Sequence, residues 1–158
     1  MKKFTLGLKI SLCSVFCVGL FAFSDPETME QYAGFLQKTL LDHYDASQEN
    51  SQIKSYELNV TNNGFCRYKR YFKSGKTEYF AFKLSKFKDM NYLGDASAGK
   101  LFLQTKGDDI IVQTYKDKGG DVDSMTTQLM IPLRNVEAED LNLIRDNLER
   151  ITKLPLNP

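Results

Sequence analysis

The sequence predicts an α+β fold: a two-layer sandwich in which an antiparallel meander sheet of about six strands carries an N-terminal and a C-terminal helix on one face. Three observations lead to it. Apolar residues recur at helical spacing near both ends of the chain and alternate with polar ones in between. Two short Gly-containing turns, read independently, put the same side chains on one sheet face. Two amphipathic helices and a one-sided sheet each need a cover, and packing them together supplies all three.

Residues 1–24 stand apart from this fold. Lys2, Lys3 and Lys9 precede an almost wholly apolar run over 10–23, and Ala22 and Ser24 are the small residues of a cleavage site. This is the pattern of a secretory signal peptide cut after Ser24. The apolar run is shorter than the ~20 residues of a spanning helix, so no membrane span is expected after cleavage. Leu12 precedes Cys13 and Phe16 precedes Cys17, neither of them small as lipoprotein processing requires. The Lys-Lys start is bacterial in type, and the expected destination is the periplasm or the medium. One domain, 25–158, remains.

Losing the leader changes the charge and the thiols. The whole chain has 21 basic and 20 acidic side chains; without three lysines the balance is 18 against 20. Net acidity and export both argue against a nucleic-acid partner. Cys66 is then the only cysteine, a lone thiol expected to be buried and inert. With 42% hydrophobic residues the chain has ample material for a core.

Asp25-Pro26-Glu27 has the makings of a helix start, with a capping acid and Pro at the first helical position. Met29, Tyr32, Ala33, Leu36, Leu40 and Tyr44 follow as one apolar stripe, and the polar stretch 45–52 is expected to fray. Alternation then begins. Tyr56, Leu58 and Val60 face one way; Cys66, Tyr68 and Phe72 oppose Arg67, Lys69 and Tyr71; Phe80, Phe82 and Leu84 oppose Thr77, Tyr79 and Lys83. A two-residue Ser74-Gly75 turn would pair Lys69 with Phe80 and mix charge into the apolar row. A three-residue Lys73-Ser74-Gly75 loop instead sets Tyr68 opposite Phe80, Cys66 opposite Phe82 and Arg70 opposite Glu78. The second register is the predicted one, since a one-residue slip reverses every side chain. Asn62-Asn63-Gly64 obeys the same rule, with Val60 opposite Cys66 and Leu58 opposite Tyr68, and glycine in the third, left-handed place of both loops.

Beyond Leu84 the signals weaken. Residues 86–99 read as a loop, flexible between Gly94 and Gly99. A two-residue Gly107-Asp108 turn is expected to pair Leu103 with Val112. Residues 117–121 make another turn, and Met125, Thr127, Leu129, Ile131 and Leu133 alternate along one last strand whose Pro132 marks an edge. Asn135 is the expected cap of a closing helix with Leu141, Ile144, Leu148 and Ile151 on one face.

No catalytic constellation emerges. His43 is the only histidine, no Gly-x-Ser-x-Gly elbow exists, and Cys66 falls on the core face. One His and one Cys cannot hold zinc, and Asp117, Asp121 and Asp123 do not have EF-hand spacing. Phosphate-cradling glycine motifs are absent, so no cofactor or metal is expected. One feature stands out: the face opposite the core carries Arg67, Lys69, Tyr71, Tyr79 and Lys83, with Phe102, Ile111 and Tyr115 expected beside them. Interleaved cations and aromatics on a sheet suit ion pairing and ring stacking. The leading expectation is a non-catalytic exported domain that binds a protein or an anionic or glycan envelope component on this face. Two other readings compete: a small hydrolase using Asp89 or Asp95 near the loop from Gly94 to Gly99, which needs a carboxyl of raised pKa beside a pocket, and a self-associating structural protein with an exposed edge strand.

Overall fold

The computed structural model of the chain describes residues 28–154. The signal-peptide reading of 1–24 and the helix start at Asp25-Pro26-Glu27 lie outside the described residues. Helix α1 spans Met29–His43 and is capped by Thr28, whose hydroxyl accepts the Gln31 N–H while the Gln31 amide oxygen accepts the Thr28 N–H. This reciprocal box satisfies two donors that the first turn would otherwise leave open. Eight strands follow: β1 Ile53–Val60, β2 Phe65–Phe72, β3 Thr77–Lys83, β4 Phe87–Gly94, β5 Ala98–Thr105, β6 Ile110–Tyr115, β7 Asp123–Thr126 and β8 Gln128–Arg134. Helix α2, Ala138–Lys153, closes the chain.

The fold is α+β, with all strand pairs antiparallel, and the strands divide into two sheets: β1-β2-β3-β6-β7 and β4-β5-β8. Inner side chains of both sheets join those of both helices in one cluster, from Leu36 and Leu40 of α1 through Leu58, Tyr68 and Phe82 to Leu101, Ile131, Ile144 and Leu148. Each such side chain contributes roughly 1.5–3 kcal/mol when withdrawn from water, which is what holds the helices on the sheets.

The first three strands pair as the turn argument requires. Val60 faces Cys66 and Leu58 faces Tyr68; Cys66 faces Phe82, Tyr68 faces Phe80 and Arg70 faces Glu78. Gly64 and Gly75 adopt φ of 76° and 90°, the left-handed place each loop demands.

Later elements depart from the expectations. Residues 86–99 are not a loop: β4 and the start of β5 occupy most of them. An irregularity between Phe87 and Asp89 shifts the parity, so Phe87, Met90 and Tyr92 all turn inward and no simple alternation betrays the strand. The segment between Gly94 and Gly99 is a tight turn. The Asp95 carboxylate accepts the N–H groups of Ser97 (2.8 Å) and Ala98 (3.1 Å), while Asn135 and Val136 donate their N–H groups to the Ser97 and Ala96 carbonyls. Leu103 does not meet Val112. It pairs with Met90 and Leu129, while Val112 pairs with Phe80 and Ser124. Gly107-Asp108 therefore turns a corner between sheets, its Gly107 carbonyl taking the Thr105 hydroxyl at 2.7 Å. The expected last strand breaks at Thr127 into β7 and β8, one in each sheet. Asn135 does not cap α2 but bends the chain at φ 52°; Glu137 is the cap, its N–H bonded to Asp140 at 2.9 Å.

The stretch 45–52 does not fray either. Asp45 is buried and caps a 3-10 turn, Ala46–Gln48. The Gln48 amide reaches the Asp45 carboxylate (2.8 Å) and the Leu133 carbonyl (3.0 Å), bolting this segment to β8.

The sheet margins are handled unequally. On β1 the Gln37 amide acts as a strand surrogate, donating to the Leu58 carbonyl at 3.1 Å and accepting the Val60 N–H. On β8 the Pro132 carbonyl accepts the Asp45 N–H (3.1 Å), so the ring nitrogen, which lacks a donor, faces the same outer side. On β4 the Arg145 guanidinium bonds the Met90 carbonyl at 2.7 Å. β7 has no such partner on its outer side among the described residues; it is only four residues long and begins with Asp123.

Candidate functional site

Strand register builds the outer face of the five-stranded sheet in rows. One runs Asn59, Arg67, Ala81, Ile111, Met125; the next Glu57, Lys69, Tyr79, Gln113, Asp123; the third Ser55, Tyr71, Thr77, Tyr115. Four of the five candidate residues, Arg67, Lys69, Tyr71 and Tyr79, line one shallow concavity of about 550 Å³ together with Thr77 and Tyr115. Lys83 stands apart, in the row beyond Arg67, with its ammonium 5.5 Å from the Phe65 ring centre. A second concavity of about 440 Å³ opens towards β1, lined by Gln37, Glu57, Asn59, Val60 and Thr61, and again by Arg67 and Lys69. The two cations form the ridge between them.

The groups of this face are held in definite positions. The Tyr71 hydroxyl donates to Glu57 at 2.8 Å, a hydrogen bond that pushes the phenol pKa up, and the Tyr115 hydroxyl donates to Gln113 at 2.7 Å. The Lys69 ammonium lies 5.6 Å from the Tyr79 ring centre and 3.9 Å from Glu57. The Arg67 guanidinium lies 5.2 Å from the Phe65 ring centre. Ile111, Tyr115 and Met125 are 37%, 47% and 53% exposed, a grouping of large apolar side chains that a freely solvated face would not favour. Ile111 and Tyr115 thus share the face as expected. Phe102 does not: it belongs to β5, in the other sheet, between Asn91 and Met130. Glu57 and Thr77 went unnoticed as site residues because the aromatic and cationic pattern that marks the face does not include them.

The inner face ends in a polar cluster that the sequence signals only through the Arg70–Glu78 pairing. The Arg70 guanidinium contacts Glu78 at 2.6 Å and Glu49 at 3.4 Å, and lies 5.7 and 5.3 Å from the ring centres of Tyr68 and Phe80. Lys76 bridges Glu78 (3.0 Å) and Asp117 (2.7 Å). The Tyr44 and Tyr68 hydroxyls lie 2.7 Å apart and both reach the same Glu49 oxygen. Burial first, and then the Glu49 carboxylate, hold both phenols far above their ordinary pKa; burial alone pushes the Cys66 thiol up to about 12.

An alkaline limit to stability follows. Unfolded, the thiol and the phenols release their protons from about pH 9 and pH 10; folded, they keep them, so stability present below those values is lost as pH rises. Above pH 10 each phenol should remove about 1.4 kcal/mol per pH unit. Urea midpoints measured from pH 8 to 11 check this, and a midpoint that stays flat or rises contradicts it.

The residues considered for catalysis are engaged in local structure. His43, at the end of α1, places Nδ1 3.1 Å from the Arg134 carbonyl of β8 and Nε2 3.8 Å from Asp140 of α2. Asp95 is held below the usual carboxylate range by the Ser97 hydroxyl and the turn N–H groups, and Asp89 by Arg145 at 2.7 Å. Neither has the raised pKa a general acid would need. Asp117 and Asp121 accept the backbone N–H groups of Gly119 and Asp117. Among the described residues no helix is long and apolar enough to cross a membrane.

Comparison with protein-family models, with curated proteins and with solved structures finds no match to this chain.

Proposed function

We propose that this chain is an exported, non-catalytic binding domain that captures a partner or envelope component on the outer face of its five-stranded sheet. One observation carries the reading: Arg67, Lys69, Tyr71 and Tyr79 converge, with Tyr115, on a single concavity of about 550 Å³. Its make-up of rigid aromatic anchors, an arginine and a polar rim is that of a recognition surface. The exposed Ile111 and Met125 alongside extend the apolar contact area. Export rests on the leader pattern of residues 1–24, and the sealed Cys66 suits an oxidising compartment.

Affinity capture from the extracytoplasmic fraction of the source cell tests the face. Tyr71→Ala with Tyr79→Ala removes two anchors worth about 2 kcal/mol each, so capture should fall at least ~30-fold with the melting curve unchanged. Lys83→Ala, outside the concavity, should matter far less. Undiminished capture by the double variant refutes the assigned face.

A further inference from the structure

We infer that the ligand of this face is an acidic polysaccharide, with a carboxylate or sulfate group seated on Arg67 and sugar rings laid on Tyr79 and Tyr71; this rests on the binding role proposed above. The cations of the sheet fall into two kinds. Arg70 and Lys76 are each clamped between two carboxylates. Arg67 and Lys83 form no ion pair among the described residues, and both lie against the Phe65 ring. Lys69 has only Glu57, at 3.9 Å. The unpaired cation at the centre of the outer face is therefore Arg67, a half-buried guanidinium whose planar fork fits a carboxylate or sulfate.

Shape extends the argument. Arg67 and Lys69 line both concavities, so a ligand longer than one site can cross the ridge from β1 to β6 with its anionic group on the crest. Tyr71 and Tyr115 have their hydroxyls tied to Glu57 and Gln113, which presents fixed ring faces and leaves little side-chain entropy to lose. Flat rings beside a cation accept the flat faces of sugar rings.

Two other polyanions fit less well. An extended peptide that adds a strand needs a free strand edge, and β2 and β3, which carry Arg67, Lys69, Tyr71 and Tyr79, are paired on both sides. Single-stranded nucleic acid carries a phosphate on every nucleotide. Laid across the central row it would set phosphates against Glu57 at one end and Asp123 at the other. A polymer with sparser charges avoids both.

The test is titration of the chain with hyaluronate (one carboxylate on every second sugar), κ-carrageenan as its sodium salt (one sulfate on every second sugar), neutral dextran and poly-glutamate at about 0.15 M salt, where long-range attraction is already screened. With no tryptophan in the sequence, calorimetry is the readout. Expected is binding of one or both acidic glycans, weakened at least tenfold by Arg67→Gln and by Tyr79→Ala and unchanged by Lys100→Gln on the other sheet. The two acidic glycans tell carboxylate from sulfate. If Arg67→Gln fails to fold, Arg67→Lys keeps the charge, loses the fork, and should still weaken binding several-fold. Poly-glutamate bound as tightly as the glycans, with Tyr79→Ala without effect, overturns the glycan assignment. So does absence of glycan binding; partner capture that remains sensitive to Tyr71→Ala with Tyr79→Ala then leaves the binding face standing, and capture indifferent to it removes both.

Discussion

Gly94→Ala is expected to destabilise the fold by about 2–6 kcal/mol, a large share of a small domain's stability. Gly94 lies directly across from Gly99 in the β4–β5 ladder with φ 152°, a region open in practice to glycine. A Cβ there would overlap the Gly99 Cα and the Ala98 carbonyl oxygen, and backbone has no rotamer by which to step aside. Strain of roughly 1–3 kcal/mol from the dihedral adds to a similar amount from overlap. Gly75→Ala separates the two: it also has positive φ, 90°, but an added Cβ meets nothing within 4 Å. It should cost only about 1–2 kcal/mol. Urea denaturation of the two variants side by side decides the matter. Similar, small losses would mean that this turn can relax and is not the rigid corner described.

The second large effect is expected at Arg70. Arg70→Ala removes the cation between Glu49 and Glu78, whose side chains are 8% and 17% exposed, and should cost about 3–5 kcal/mol. Most of that is the penalty of leaving two carboxylates with too little positive charge. Arg70→Met keeps much of the packing on Tyr68 and Phe80 but not the charge, so combining it with Glu49→Gln should recover part of the loss. A loss below about 1 kcal/mol for Arg70→Ala would show that water already shares these groups.

Much of the first half of the fold is legible in the chain because its information is local. Between Tyr56 and Phe82 both turns have three residues with glycine last, no bulge disturbs parity from Tyr56 onward, and an odd or even number decides the face. The outer-face residues Arg67, Lys69, Tyr71 and Tyr79 could be picked out for that reason. Tyr115 is legible as a residue of the same face, but the concavity is not, since the place of Tyr115 beside Thr77 comes from β3–β6 pairing across a chain excursion that contains β4 and β5. The same non-local pairing hides the division into two sheets: Leu103 and Val112 are apolar neighbours across a turn-like Gly107-Asp108, and nothing local shows that they belong to different ladders. β4 is illegible for a different reason, the parity shift between Phe87 and Asp89. The cluster around Glu49 escaped notice because a glutamate in a polar stretch gives no sign that it will reach beneath a sheet to meet two phenols.

The bonded groups at the outer sides of β1, β4 and β8 limit how copies of this unit could accumulate. A filament needs every unit to be adhesive at two places, so that each newcomer leaves a fresh landing site. Among the described residues the β7 side lacks such a bond; two molecules joined there would use both contacts at once, and accretion through that margin would halt at a pair.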